Sequence, residues 1–147
     1  MQFKIMSRTK ARRFTYAPEC CFDCIIISIT DPGSDPNRFC SYNSCIKGIL
    51  RLEFDDVDSP EPLCITEKDA DLILDFVEKY KDVADLVIVH CEAGISRSAG
   101  VAAALMKIYN HDDWEVFDNP RYCPNMTCYR TVLMQYYERM ARESEGL

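Results

Sequence analysis

Apolar residues recur along this chain with two different periods. Three runs are nearly continuous: CIIISIT at 24–30, CIKGILRLEF at 45–54 and LVIV at 86–89. Such runs, rich in β-branched and aliphatic residues and closed by turn formers, predict strands. The 24–30 run ends on Asp31-Pro32-Gly33 and reads as a strand covered on both faces. A second set repeats every three to four residues. Over 66–81, Ala70, Ile73, Val77 and Tyr80 form one stripe, which Leu72, Leu74 and Phe76 widen. Thr66 with Asp69 approximates a capping box at the start of that helix. A second helix is predicted over 99–110 and a short one over 114–117, which Asn119-Pro120 and Pro124-Asn125 end. A last helix is predicted over 126–142, with Tyr129, Val132, Leu133, Tyr136, Tyr137 and Met140 on one face. The stretches 31–43 and 55–62 carry prolines and turn formers and read as loops.

The chain opens with a short alternating segment, after which Ser7 can cap a short basic turn holding Arg8, Lys10, Arg12 and Arg13. This reads as a solvated element packed on the body. It is too short, on too acidic a chain, to suggest a nucleic-acid patch. Strands that alternate with helices and are apolar throughout predict an α/β fold: a central, mostly parallel sheet of about four to five strands flanked by helices. The 147 residues, 48% of them hydrophobic, suffice for one domain with its own core, spanning 1–147.

Composition narrows the setting. A formal net charge of −7 makes nucleic acid and anionic membranes poor default partners, though a small anion in a locally positive pocket stays compatible. No signal-type apolar segment opens the chain and no run is long enough to span a bilayer. Nine cysteines, an odd number, argue for reduced thiols over a disulfide framework. The expectation is a cytoplasmic monomer. Cys21-Phe22-Asp23-Cys24 is a CxxC pair, but no second pair follows and only His90 and His111 are at hand as histidine ligands. No metal and no cofactor are therefore expected.

The stretch 86–100, LVIVHCEAGISRSAG, concentrates the chemistry. Cys91 sits where a buried strand stops and a helix starts, a turn that aims backbone N–H groups and a helix dipole at one point. A thiol becomes nucleophilic at neutral pH only when its pKa is lowered. The loop amides of 92–97, the charge of Arg97 and the hydroxyls of Ser96 and Ser98 all favour the thiolate. Five intervening residues let the chain circle a tetrahedral oxyanion, and the Arg97 guanidinium then offers it a bidentate fork. Gly94 permits a backbone conformation closed to other residues. These are the parts for attack on phosphorus through a cysteinyl-phosphate intermediate. His90, next to the nucleophile at a strand end, should point away and buttress the loop; His111 reads as a surface residue. The proton donor for the leaving oxygen is better sought in the acidic loop holding Asp55, Asp56 and Asp58, where one carboxylate can act first as acid and then as base.

The string HCEAGISRS at 90–98 resembles the HCxxGxxRS signature of the cysteine-dependent protein tyrosine phosphatases, and its AGxSRS form is most similar to the compact dual-specificity subgroup. The resemblance is strong at 88–100 and looser over about 20–140. It implies the cysteine-phosphatase fold, with Cys91 as nucleophile and Arg97 as phosphoryl ligand. It also implies that the amides of Glu92, Ala93, Gly94, Ile95, Ser96 and Arg97 hold the equatorial oxygens, and that Ser98 assists breakdown of the phosphoenzyme. Phe54-Asp55-Asp56 is similar to the loops of some small members whose second aspartate is the acid, which implies Asp56; a loop set two residues differently would use Asp58. NPRYCPNMTCYR at 119–130 is similar to the Pro-Asn element before the last helix in compact members, and implies that Asn125 helps to position substrate or water. The Trp-Pro-Asp loop of the larger tyrosine-specific enzymes is absent.

Glu92 and Ile95 at variable loop positions disfavour a highly anionic head group by charge complementarity. The resulting expectation is hydrolysis of phosphotyrosine, with phosphoserine and phosphothreonine as further substrates. The alternatives are a phosphoinositide phosphatase, an RNA 5′-phosphatase and a non-catalytic phosphate-binding module.

Overall fold

The two most apolar runs lie side by side at the centre of a four-stranded sheet. The computed structural model describes residues 1–17, 22–59 and 61–146. In chain order its elements are β1 (Gln2–Ser7), α1 (Arg8–Tyr16), β2 (Cys24–Thr30), β3 (Ile46–Glu53), α2 (Glu67–Tyr80), β4 (Leu86–Cys91), α3 (Arg97–Asn110), α4 (Trp114–Phe117) and α5 (Met126–Glu145). The strands are ordered β1-β4-β2-β3 and every pairing is parallel. Every residue of β2 and β4 is buried, as continuous apolar runs in a doubly covered sheet require. Cys21 of the CxxC pair lies outside the described residues.

Side-chain alternation decides what each face of the sheet receives. Ile25, Ile27 and Ile29 of β2, with Val87, Val89 and Cys91 of β4, enter the larger core beneath α2, α3 and α5. Cys24, Ile26, Leu86 and Ile88 point the other way, onto Ala11 of α1 and Met6 of β1. Cys91 and its neighbour His90 therefore face opposite sides of the sheet. Because the strands are parallel, the loops leaving β2, β3 and β4 emerge at the same edge, where α/β sheets gather their binding groups.

The N-terminal segment is more than a solvated appendage. Its alternating residues form the edge strand β1, which pairs with β4 from Gln2↔Leu86 to Ser7↔Cys91. The basic stretch is a helix of nine residues, not a short turn. The Ser7 hydroxyl caps it, accepting from the Lys10 amide at 3.1 Å.

The capping box at Thr66 forms in full, with the Asp69 carboxylate accepting from the Thr66 amide at 2.9 Å. Along α2, Ala70, Ile73, Leu74 and Val77 are buried, while Leu72 is exposed. On α5 most of the predicted face packs inward, with Val132 in the core and Tyr129, Leu133 and Tyr136 against it. The buried line is Cys128, Val132 and Gln135, whereas Tyr137 and Met140 are about half exposed. The reason is polar: Gln135 and Arg139 both bond to the Asp71 carboxylate of α2, at 3.1 and 2.8 Å, so this end of the helix is held by ions and amides.

α3 is buried from Arg97 to Met106 between the sheet and α5. The close approach of α5 depends on Gly100: a Cβ there would stand 2.4 Å from the Asn125 carbonyl oxygen and 3.0 Å from the Cys128 Cβ. No helix among the described residues is long and apolar enough to cross a membrane. Gly100→Ala forces α5 off α3 against backbone, and is expected to destabilise the protein by about 1–3 kcal/mol, measured as a lowered urea midpoint at unchanged m-value.

Candidate active site

β4 ends on Cys91, and the chain turns through 92–96 before α3 starts at Arg97. The turn is folded against the end of β1. Gly94 adopts φ +71°, and a Cβ at this position would lie 2.6 Å from the Met6 carbonyl carbon. The Arg8 amide donates to the Glu92 carbonyl at 3.1 Å, fastening the loop's first residue to the start of α1. At the loop's far end, the Ser96 carbonyl accepts from the Asn125 amide at 3.0 Å.

The fold brings Cys91 Sγ, 2% exposed as a residue, within 3.1 Å of the Ser98 hydroxyl. Burial alone would push the Cys91 thiol up. Hydrogen bonds from the Ser98 hydroxyl and from the amides of Ser98, Gly94 and Ile95 outweigh it, so the thiol is held below its ordinary value. Ser96 is not among these donors. Its hydroxyl turns outward and donates to Asp56 Oδ1 at 2.7 Å.

Arg97 is buried on the first turn of α3. Its Nη1 donates to the Asp31 carboxylate at 2.7 Å and to the Phe54 carbonyl at 2.8 Å. Its Nε–H is buried with no partner among the described residues. An unpaired buried donor on a cation costs about 1–3 kcal/mol, a cost that an anion's oxygen would remove.

His90 is wholly buried on the opposite face. Its Nδ1–H donates to the Cys91 carbonyl at 3.1 Å, and Nε2 accepts from the Ser28 hydroxyl at 2.6 Å, an arrangement that assigns the neutral tautomer. The Asn37 amide lies 3.4 Å from the same nitrogen. Burial, only partly opposed by the bond to Cys91, lowers the His90 pKa to about 4. His111 is exposed and ends α3 in the left-handed region at φ 61°.

Of the three loop aspartates, only Asp56 is carried to the cysteine loop. Its Oδ1 accepts from Ser96 and, at 2.8 Å, from Asn125 Nδ2. The Asp55 amide is tied to the Leu63 carbonyl at 2.7 Å, and Asp58 is exposed. Asn125, 1% exposed, also donates to the Val57 carbonyl at 3.0 Å and caps α5 by accepting from the Cys128 amide at 3.0 Å. Glu92 pairs with Arg8 at 3.1 Å, Ala93 is exposed, and Ile95 stands on the rim at 41% exposure. Among the described residues, no three His, Cys, Asp or Glu side chains are grouped to hold a metal.

No family model matches the sequence, and no curated protein matches it. Solved structures do match in shape. Human DUSP28 superposes with a TM-score of 0.65 at 13% identity, covering 95% of this chain and 94% of that one. The human tyrosine phosphatase-like serine/threonine/tyrosine-interacting protein gives 0.67 at 18% identity, covering 95% and 92%. PTPMT1 in complex with PI(5)P gives 0.60 at 19% identity, covering 97% and 94%.

The fold is that of a compact dual-specificity-type cysteine phosphatase.

On this cysteine-phosphatase fold, two contacts have no motif to announce them. Asp31 reads in sequence only as the turn after β2, yet it anchors Arg97, because β2 and β4 are adjacent and end together. Arg8 belongs to a basic stretch far away in sequence, and reaches Glu92 because β1 runs beside β4. The pairing also changes the weight of Glu92. Its charge is met by a guanidinium, so it repels an anionic substrate less than the sequence suggests.

Two measurements follow from this geometry. In Ser98→Ala, the pH midpoint of Cys91 alkylation, followed by peptide mass spectrometry, should move upward, since burial then has fewer bonds opposing it. His90 titrates near 6.5 when unfolded and at about 4 when folded. The unfolded chain therefore binds the extra proton between those values, and stability falls as pH falls through that window. From pH 7 to pH 5 the His90 contribution is a loss of about 2 kcal/mol, and His90→Gln should flatten that part of the urea-midpoint profile.

Proposed function

We propose that this protein is a phosphomonoester hydrolase that removes phosphate from phosphotyrosine, and from phosphoserine or phosphothreonine, through a cysteinyl-phosphate intermediate. The carrying observation is the convergence of a buried, hydrogen-bonded thiol with a buried arginine Nε–H that has no partner among the described residues, at the two ends of one loop. A phosphoryl group over Sγ would receive the loop amides and the free edge of the guanidinium together.

In this reading Cys91 thiolate attacks phosphorus, the S–P bond forms and the P–O bond to the leaving group breaks. Arg97, held by Asp31 and Phe54, stabilises the oxygens as charge builds on them. Asp56 delivers a proton to the leaving oxygen. Its Oδ1 is occupied by Ser96 and Asn125, so Oδ2 is the oxygen that carries the proton. Asp56, now a carboxylate, takes a proton from water, which attacks phosphorus and displaces the thiolate. The Ser98 hydroxyl stabilises the departing sulfur. His90 keeps the Cys91 carbonyl turned away, and Asn125 positions Asp56 over the loop.

Two rim features support an aryl phosphomonoester. Ile95 offers an apolar wall beside the pocket, and Glu92, though paired, adds no positive charge for extra phosphates. PTPMT1 is known in complex with PI(5)P, so a phosphoinositide is the second substrate class to try.

Release of phosphate from an aryl phosphate is expected for the wild type and absent in Cys91→Ser. Asp56→Asn should lower turnover on a poor leaving group by about two to four orders of magnitude, with Asp58→Asn near wild type. Turnover surviving Cys91→Ser would sink the mechanism, and equal small losses in the two aspartate variants would remove Asp56 as the acid.

A further inference from the structure

The cysteine loop lies between two surfaces of opposite charge. At its Ser96 end stands the acidic loop with Asp55, Asp56 and Asp58. At its Glu92 end stands α1, fastened through Arg8. The first eighteen residues carry Lys4, Arg8, Lys10, Arg12 and Arg13 and no acidic residue, on a chain whose net charge is −7.

The fold concentrates this charge further. A cleft of about 280 Å³ is lined by Arg8, Arg12, Arg13 and Asn37. A second, of about 510 Å³, shares Asn37 and adds Arg38, Phe39 and Arg51 with Tyr16 and one carboxylate, Asp35. Arg12, Arg13, Arg38 and Arg51 are exposed, and none of them enters an ion pair among the described residues. The Arg51 guanidinium sits over the Phe39 ring at 5.4 Å, held in place by an aromatic face instead of a carboxylate. Burial and the like charge of Arg8 lower its pKa, the response of a cation short of counter-charge. Among the described residues that line the two clefts, Asp35 is the one carboxylate set against five guanidinium groups, and an anion bound there offsets the remaining positive charge.

We propose that α1 and the 35–39 loop form a docking surface for an anionic stretch of peptide, borne by the same substrate whose phosphorylated residue enters the Cys91 pocket. The inference rests on the phosphatase reading for the identity of the pocket's occupant. Its chemistry is that of carboxylates or a second phosphate a few residues from the reacting one. The acidic loop decides against a uniform polyanion. A nucleic-acid backbone crossing the pocket would carry its charge onto Asp55, Asp56 and Asp58 as well, whereas a peptide can be acidic on one side only. The surface thus selects the direction in which the substrate lies.

The test uses full-length Cys91→Ser protein and fluorescence anisotropy with phosphotyrosyl peptides of equal length. One has neutral flanks, one has glutamates before the phosphotyrosine, one has them after it, and one carries a second phosphate. Affinity about tenfold higher is expected for one of the two glutamate peptides, falling with added salt. The peptide with two phosphates separates phosphate from carboxylate as the preferred anion. The advantage should vanish when Arg12→Ala, Arg13→Ala and Arg38→Ala are combined. The same triple substitution in the wild-type background should leave aryl phosphate hydrolysis unchanged. Equal affinity for all peptides, or a preference that survives the triple substitution, would overturn the proposal. So would tighter binding to a 5′-phosphorylated RNA oligonucleotide or to phosphoinositide vesicles than to any acidic peptide. Failure of aryl phosphate hydrolysis by the wild type, with peptide discrimination intact, would count against the phosphatase reading and for the docking surface.

Discussion

A buried thiol is drawn toward its anion only if hydrogen bonds replace the water that the charged form gives up, and at Cys91 such bonds organise the surrounding structure. The donors come from the backbone of a loop that has to curl over the sulfur. That curl needs a residue at positive φ, which Gly94 supplies where a side chain would strike β1. It also needs a helix start just beyond the loop, which places the Ser98 hydroxyl 3.1 Å from Sγ. The contrast with Cys128 shows what the donors do. That thiol is also buried nearby, but burial and the charge of Asp56 push it well above the ordinary range. Two buried cysteines thus acquire opposite character, one from the hydrogen bonds around it and the other from burial beside a carboxylate.

The loop's shape is fixed from outside by two fasteners. At its start, Arg8 and the end of β1 hold Glu92, and at its end Asn125 holds the Ser96 carbonyl. Asn125 is at once the cap of α5, a donor to Asp56 and Val57, and the residue whose carbonyl nearly touches Gly100. Helix packing and loop position, through its backbone, and the placement of a carboxylate, through its side chain, therefore share one buried residue.

Charge is distributed as unevenly as hydrogen bonding. The chain as a whole is acidic, but α1 carries four cations and no carboxylate, while Asp55, Asp56 and Asp58 stand at the other end of the cysteine loop. Net charge alone discourages an anionic ligand. The local field around the pocket favours one that enters in a particular orientation.

Much of this was legible in the order of residues. Continuous apolar runs alternating with amphipathic stretches implied a parallel α/β sheet, because only strands covered on both faces need no polar side. The turn from LVIV through Cys91 to a helix implied an anion site, because peptide dipoles and amides at such a junction have one place to point. What the sequence could not reveal are contacts between segments far apart along the chain. That Arg97 is anchored by Asp31, that Asp56 rather than Asp58 reaches the loop, and that Arg8 neutralises Glu92 all depend on strand order and register. On α5, Tyr137 and Met140 depart from the predicted face for the same reason: periodicity marks which residues share a side, but the neighbouring helix decides whether that side is sealed by apolar packing or by ions. Local propensity and pattern are properties of short segments, whereas electrostatic partnership is a property of the assembled fold.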